Sequence, residues 1–450
     1  MSTMSAQSEV FDELTIDFLA ISRVGEAPAE TAVIRALATA GLGTADYITS
    51  ASASSGASAK PTGAPARRVR LGTYTLQEPV TRASVRVIVA RYDGSVIAGM
   101  SEAALNLLTH DLDAGDRQTL RTGVIGLDVR LSAPADAPLP ALRWGMRVLR
   151  VIVELIQGVA IDPAAQVCYG REALARLAEQ AALAPSAGGA DNAPDVLAYI
   201  NFHDEAWTPE SRWLHTHGLQ KFGRPELDLA PTPLSLVSEG LTLLQDLAEN
   251  LANGATLIPG QEIALEGVGT VLAVSVPVDV DHQAPFGRLR LTDAPTAATL
   301  SEARAGQNVA APLRLLTGMA LAEAQRYASE GEIAAALDVI ERSLAADADD
   351  CAMLAFKARL LLNQALPLEA LQLGELMEVR APGDYRGPLT VGLALTSIGR
   401  YHEALNALNR AIERAPEAAE IFSARAQAHE GLGQAQLAAV DRAHAAYLGA

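Results

Sequence analysis

Residues 392–416 read GLALTSIGRYHEALNALNRAIERAP. The stretch holds a small residue at Gly392, a turn at Gly399-Arg400-Tyr401, then Glu403-Ala404, Ala411 and a closing Pro416. Sliding the last third of the chain against itself by 34 residues brings Gly331, Ala365, Gly399 and Gly433 into one column. Ala336, Ala370, Ala404 and Ala438 fill a second, and Pro382 and Pro416 a third. One ungapped register gives units starting near 317, 351, 385 and 419, the last two residues short. The chemistry of the columns specifies paired helices. Alanine lets two helices approach closely, glycine ends the first helix, and proline ends the second. A unit that cannot bury its apolar face alone must stack on its neighbours.

This pattern resembles the tetratricopeptide repeat. The second unit departs from it with Ala365 and Pro367 at the turn, and the first and fourth lack the closing proline. The resemblance implies an all-α solenoid at 313–450 whose first helices line a concave groove. The groove positions it implies are Gln325, Arg359, Asn363, Arg386, Leu389, Leu393, Thr396, Ser397, Gln427 and Glu430. A mixed polar and leucine-lined groove suits an extended or helical peptide, so a protein or peptide partner is expected. The lysine–asparagine clamp with which some members hold a terminal carboxylate is not visible. A homo-oligomer, or an array that only braces the rest of the chain, is the competing use.

Upstream, a segment rich in Ala, Thr, Pro and Gly at 298–312 reads as a linker. Residues 10–297 mix strand-like and helix-like runs without regular alternation, which predicts an α+β region with a mostly antiparallel sheet. Strands are expected at 14–22, 67–76, 83–92 and 124–131, and again at 195–202, 226–229, 271–280 and 288–291. Helices are expected at 29–40, 101–108, 138–158, 171–183 and 234–251. Residues 50–66 collapse to Ser, Ala, Gly and Pro and read as a flexible insert, and 184–194 as a loop. A division into two subdomains near 135 is one reading of this region. Arg143, Arg147 and Arg150 recur at helical spacing, but Glu154 offers Arg150 a partner and favours a solvated face.

The densest chemistry upstream is 203–229, HDEAWTPESRWLHTHGLQKFGRPELDL, with three of the eight histidines and two of the three tryptophans. His215 and His217 are spaced as two ligands on one face of a strand, and His203, Asp204 and Glu205 could complete a site, as could Asp279, Asp281 and His282. The alternative to a scaffold without a cofactor is therefore a metal-binding or hydrolytic module centred on His203, His215 and His217, holding zinc or another divalent metal, with the repeats recruiting its partner. More often a strand histidine is a hydrogen-bonded structural residue. No nucleophile elbow, phosphate-binding loop or H-E-x-x-H motif occurs, and GLGTAD at 41–46 and GVGTVL at 267–272 lack a dinucleotide fingerprint. No catalytic residue is assigned. Residues 138–297 also resemble an uncharacterised bacterial domain family through Thr216, Gly218, Leu219, Phe222, Gly223, Pro225, Glu226 and Leu227. That resemblance implies a shared α+β fold with no catalytic assignment.

Composition narrows the rest. A net charge of -18 repels nucleic acid and anionic membrane surfaces. The two cysteines, Cys168 and Cys351, form no ligand or disulfide pattern. The amino terminus lacks a basic and apolar leader, and no apolar run reaches membrane-spanning length, so the expectation is a cytoplasmic, non-enzymatic interaction scaffold.

Overall fold

A computed structural model describes residues 12–24, 27–49, 72–78, 80–92, 94, 97, 105–106, 108–110, 112–182, 196–265, 269–276, 285–293 and 312–449. The expected insert at 50–66, the loop at 184–194, Asp279, Asp281 and His282, most of the linker, and most of the helix at 101–108 lie outside the described residues.

The first sheet contains β1 (Glu13–Ile21), β2 (Asp46–Thr49), β3 (Gly72–Glu78), β4 (Ala83–Arg91), β5 (Ile125–Pro134), β6 (Val159–Asp162) and β7 (Val167–Tyr169). Their order is β2-β3-β4-β5-β1-β6-β7, and every pairing is antiparallel. In β1, alternation buries Leu14, Ile16, Phe18 and Ala20 and exposes Glu13, Thr15 and Asp17. Helices α1 (Glu30–Thr39), α2 (Ala114–Thr122), α3 (Pro138–Ile156) and α4 (Arg171–Ala182) accompany this sheet. α3 presents Leu142, Val148, Leu149 and Ile152 to the shared core. On its outer row Arg150 pairs with Glu154 at 2.8 Å, as their spacing predicts.

The second sheet contains β8 (Asn201–Thr208), β9 (Ser211–His217), β10 (Glu226–Pro233), β11 (Glu262–Leu265), β12 (Gly269–Val276) and β13 (Arg288–Asp293). Its order is β11-β12-β13-β10-β9-β8, antiparallel except for the parallel pair β10–β13. One face packs Leu214, Leu227, Leu229, Leu289 and Leu291 into the core with α5 (Val237–Ala252). The strand expected at 195–202 begins only at Asn201, because Val196–Tyr199 forms a 3-10 turn. Three residues apart, Val196 and Tyr199 would point to opposite faces of a strand. The turn sets both on one side, where both are buried. The helix expected from 234 likewise starts as a 3-10 turn at Leu234–Leu236 before α5.

Beyond residue 312 every described element is helical. α6 (Leu313–Ser329), α8 (Cys351–Asn363), α10 (Arg386–Ser397) and α12 (Ala419–Gly431) are the first helices of the four units. α7 (Ile333–Ala346), α9 (Pro367–Arg380), α11 (Tyr401–Arg414) and α13 (Ala435–Leu448) are the second. The column Ala336, Ala370, Ala404 and Ala438 is fully buried. The turn column, Gly331, Ala365, Gly399 and Gly433, has φ of 84°, 60°, 79° and 71°. All four residues take the left-handed conformation that reverses the chain after a helix, which explains the glycines and marks Ala365 as the odd member.

The array is joined to the α+β region by packing. One core cluster runs from the first sheet through the second and on to Leu315, Leu316, Ala320 and Ala324 of α6, Val339 and Ile340 of α7, and Met353 and Phe356 of α8. Asp293, at the end of β13, accepts the N–H groups of Arg314 (3.1 Å) and Leu315 (3.4 Å) in the first turn of α6. A carboxylate there satisfies donors that have no partner within the helix. Arg342 of α7 reaches Glu239 of α5 at 3.4 Å.

Candidate functional site

Two places carry chemistry: the first-helix side of the array and the polar face of the second sheet. In the array, Gln325, Arg359, Asn363, Ser397, Gln427 and Glu430 are exposed, Leu393 and Thr396 are half-buried, and Leu389 is buried. The Arg359 guanidinium lies 4.8 Å from the centre of the Phe356 ring. Arg386 is already engaged. Its guanidinium grips the Asp384 carboxylate with contacts of 2.6 to 3.2 Å, and the same carboxylate accepts the Arg386 N–H. It therefore fastens the start of α10. Glu430 is paired with Arg442 of α13. The expected positions lie on the first helices of their units, where Arg359, Asn363 and Gln427 have exposed side chains.

The sheet face is built by strand register. Two-residue alternation puts His215 and His217 on one face of β9, and the β8–β9 pairing sets His203 opposite His215 and Asn201 opposite His217. The three histidines are buried, their ring centroids lie 4.6 to 5.2 Å apart, and their ligand nitrogens fall within 4.8 Å of one another. Asp204 and Glu205 part company. Asp204 points the other way and pairs with Arg212 at 2.5 Å, whereas Glu205 joins the cluster, with Oε1 3.7 Å from both His203 Nδ1 and His215 Nε2. The Asn201 side chain meets His203 Nε2 at 2.8 Å, and the Trp213 ring stacks on His215 at 4.0 Å.

Charged neighbours of this face escaped the sequence reading, although a signal was present. Glu-Leu-Asp-Leu at 226–229 and Arg-Leu-Arg-Leu at 288–291 alternate charge with leucine. β10 and β13 lie parallel, with Glu226 against Arg288 and Asp228 against Arg290. Asp228, 1% exposed, is held bidentately by Arg290 at 2.8 and 3.0 Å. Arg288, 3% exposed, lies 5.4 Å from the Trp213 ring centre, and burial lowers its pKa against the opposing charges of Asp228 and Glu226. Its terminal nitrogens make no hydrogen bond among the described residues.

The Thr-Gly…Phe-Gly-x-Pro-Glu-Leu frame knits the connection from β9 to β10. Glu226 accepts the Thr216 hydroxyl at 2.7 Å and the N–H groups of Gly218 (2.9 Å) and Gln220 (3.2 Å), while Thr216 Oγ1 accepts the Leu227 N–H at 2.8 Å. Burial raises the Glu226 pKa to about 7 against these donors and Arg288. Gly218 has φ 116°, and a Cβ there would come within 2.6 Å of the Tyr199 carbonyl oxygen. Leu219 and Phe222 anchor the 3-10 turn in the core, while Gly223 closes it and Pro225 leads into β10. A cavity of about 420 Å³ nearby is lined by Thr15, Ile16, Asp17, Gln220, Lys221 and Phe286. The ammonium of Lys221 is already neutralised by Asp162 at 2.7 Å, both fully buried.

The repeat columns, the helix pairs and the turn angles agree with a sequence comparison in which the TPR repeat family matches residues 392–433. The C-terminal region is a tetratricopeptide-repeat array. Solved structures with similarity include a thermophilic TPR protein of Thermus thermophilus, 24% identical over 30% of this chain and 74% of that one, TM-score 0.28. MamA MSR-1 is 21% identical over 29% of this chain and 76% of that one, TM-score 0.24. No curated protein matches the chain. The tetratricopeptide-repeat units support a role in protein interaction. Among the described residues no helix is long and apolar enough to cross a membrane.

Proposed function

We propose that the chain acts without catalysis, holding an extended peptide or a helix of a partner protein along the first helices of its tetratricopeptide-repeat array. The observation that carries this reading is the exposure of Arg359, Asn363 and Gln427 on the first helices of an array whose first unit is fused into the α+β core. The fusion fixes the array's base, and the polar heads above it are left to solvent. A solenoid with fixed helices presents such positions without a backbone ordering cost on binding. The charge of -18 favours a partner segment that is basic or neutral and disfavours nucleic acid and anionic membrane.

The test compares full-length protein with the Arg359→Glu, Asn363→Ala, Gln427→Ala triple variant as bait, quantifying every captured protein by mass spectrometry. The expected result is loss of a defined partner by about tenfold or more at unchanged thermal stability, the size of a hot-spot loss. Equal capture by both baits overturns the groove assignment. Arg386 is left out because Asp384 already holds it.

A further inference from the structure

We propose that His203, His215 and His217, with Glu205, form a binding site for one divalent transition-metal ion of the zinc type. Three buried imidazoles from adjacent strands, all within ligand reach of one another, are a costly arrangement for an ordinary core. Each ring carries polar nitrogens, and three cationic rings this close would repel one another without water to screen them. His203 Nδ1 is buried and makes no hydrogen bond among the described residues. It faces Glu205 Oε1 at 3.7 Å, and the same oxygen lies 3.7 Å from His215 Nε2. That is too long for a hydrogen bond. It is close to the spacing of two donors sharing an ion, since tetrahedral ligands each about 2.1 Å from a zinc stand about 3.4 Å from each other.

The outer contacts fit as well. Histidine ligands keep their orientation when the other ring nitrogen is held by a neighbour, and Asn201 occupies His203 Nε2 at 2.8 Å. The Asn201 amide nitrogen stands against Nε2; for His203 to bind through Nδ1, Nε2 carries the proton and the Asn201 amide turns over so that its oxygen accepts it. The Trp213 ring packed on His215 at 4.0 Å restricts a second ligand. Three imidazoles and one carboxylate fill a tetrahedral zinc shell and leave no open position, so the ion would be structural and would clamp β8 to β9. Imidazole nitrogens favour zinc, cobalt, nickel and copper over magnesium and calcium.

Full-length protein stripped by chelator, then titrated separately with Zn2+ and Co2+ alone, tests the site. The expected result is one ion per chain, a rise in melting temperature with Zn2+, and the intense visible absorption of four-coordinate Co2+. His215→Ala with His217→Ala abolishes all three. Because removing buried rings could disturb the fold, Glu205→Gln and Asn201→Ala provide gentler variants. Each is expected to weaken Zn2+ binding by about tenfold or more while the metal-free melting temperature stays at the wild-type value. Failure of the wild-type protein to take up one Zn2+ overturns the proposal. So does Zn2+ uptake that persists undiminished in the His215→Ala, His217→Ala variant.

Discussion

Glu226 shows how one side chain can organise a fold and burden it at the same time. Its carboxyl gathers a hydroxyl and two backbone N–H groups, yet it is 1% exposed and its pKa stands at about 7 rather than the ordinary 4.5. The folded state therefore binds a proton that the unfolded chain has released. Stability from this group is fully present below pH 4.5 and declines as the pH rises through about 7, by on the order of 3 kcal/mol. Glu226→Gln keeps the acceptor for Gly218 and Gln220 without the charge. Urea unfolding across this range is expected to show a smaller decline for Glu226→Gln than for the wild-type protein. Parallel curves would place the pH dependence on another group.

Within the array, the turn between α8 and α9 is the weakest of the four by its own geometry. Ala365 adopts φ 60° where the equivalent turns use glycine, and it is exposed, so no packing compensates. A left-handed alanine costs more than the extra backbone entropy that glycine loses on folding. Ala365→Gly is expected to stabilise the protein by roughly 0.5–1 kcal/mol, read as a higher denaturant midpoint at unchanged slope. A lower midpoint would show that the turn relaxes in solution. Pro367, at the first turn of α9, limits the same connection from the other side, where its missing N–H is no loss.

For the whole molecule the decisive feature is the shared core between the second sheet and the first repeat unit. Solenoids add stability through neighbouring contacts, and here the first neighbour is the α+β region itself. All three tryptophans, Trp144, Trp207 and Trp213, lie in that region, whereas much of the helix belongs to the array. Tryptophan fluorescence and far-UV circular dichroism thus report different parts of the chain. They are expected to melt together. Leu316→Ala, at a fully buried position of α6, is expected to lower both transitions, at about 2–4 kcal/mol. Two separated transitions, or a shift confined to one probe, would mean that the two parts fold independently.

The array was legible in the sequence because its contacts repeat at a short fixed spacing. The 34-residue columns of alanine and glycine state the helix pairing directly, and each column proved to be a fully buried contact or a left-handed turn. The common face of His215 and His217 was legible for the same local reason, since alternation along one strand determines it. The Thr216-to-Leu227 frame could likewise be read as turn and packing residues. What local pattern could not decide was which strands become neighbours. Asp228 and Arg290 are 62 residues apart and meet only because β10 lies between β9 and β13. The same register brings His203 to His215, selects Glu205 over Asp204, and sets Arg288 beside Glu226. The joining of α6 to the second sheet also rests on long-range burial, which no spacing in the chain announces. Sequence by itself determined the repeating third of this protein, whereas tertiary structure assembled the polar face on which its candidate metal site stands.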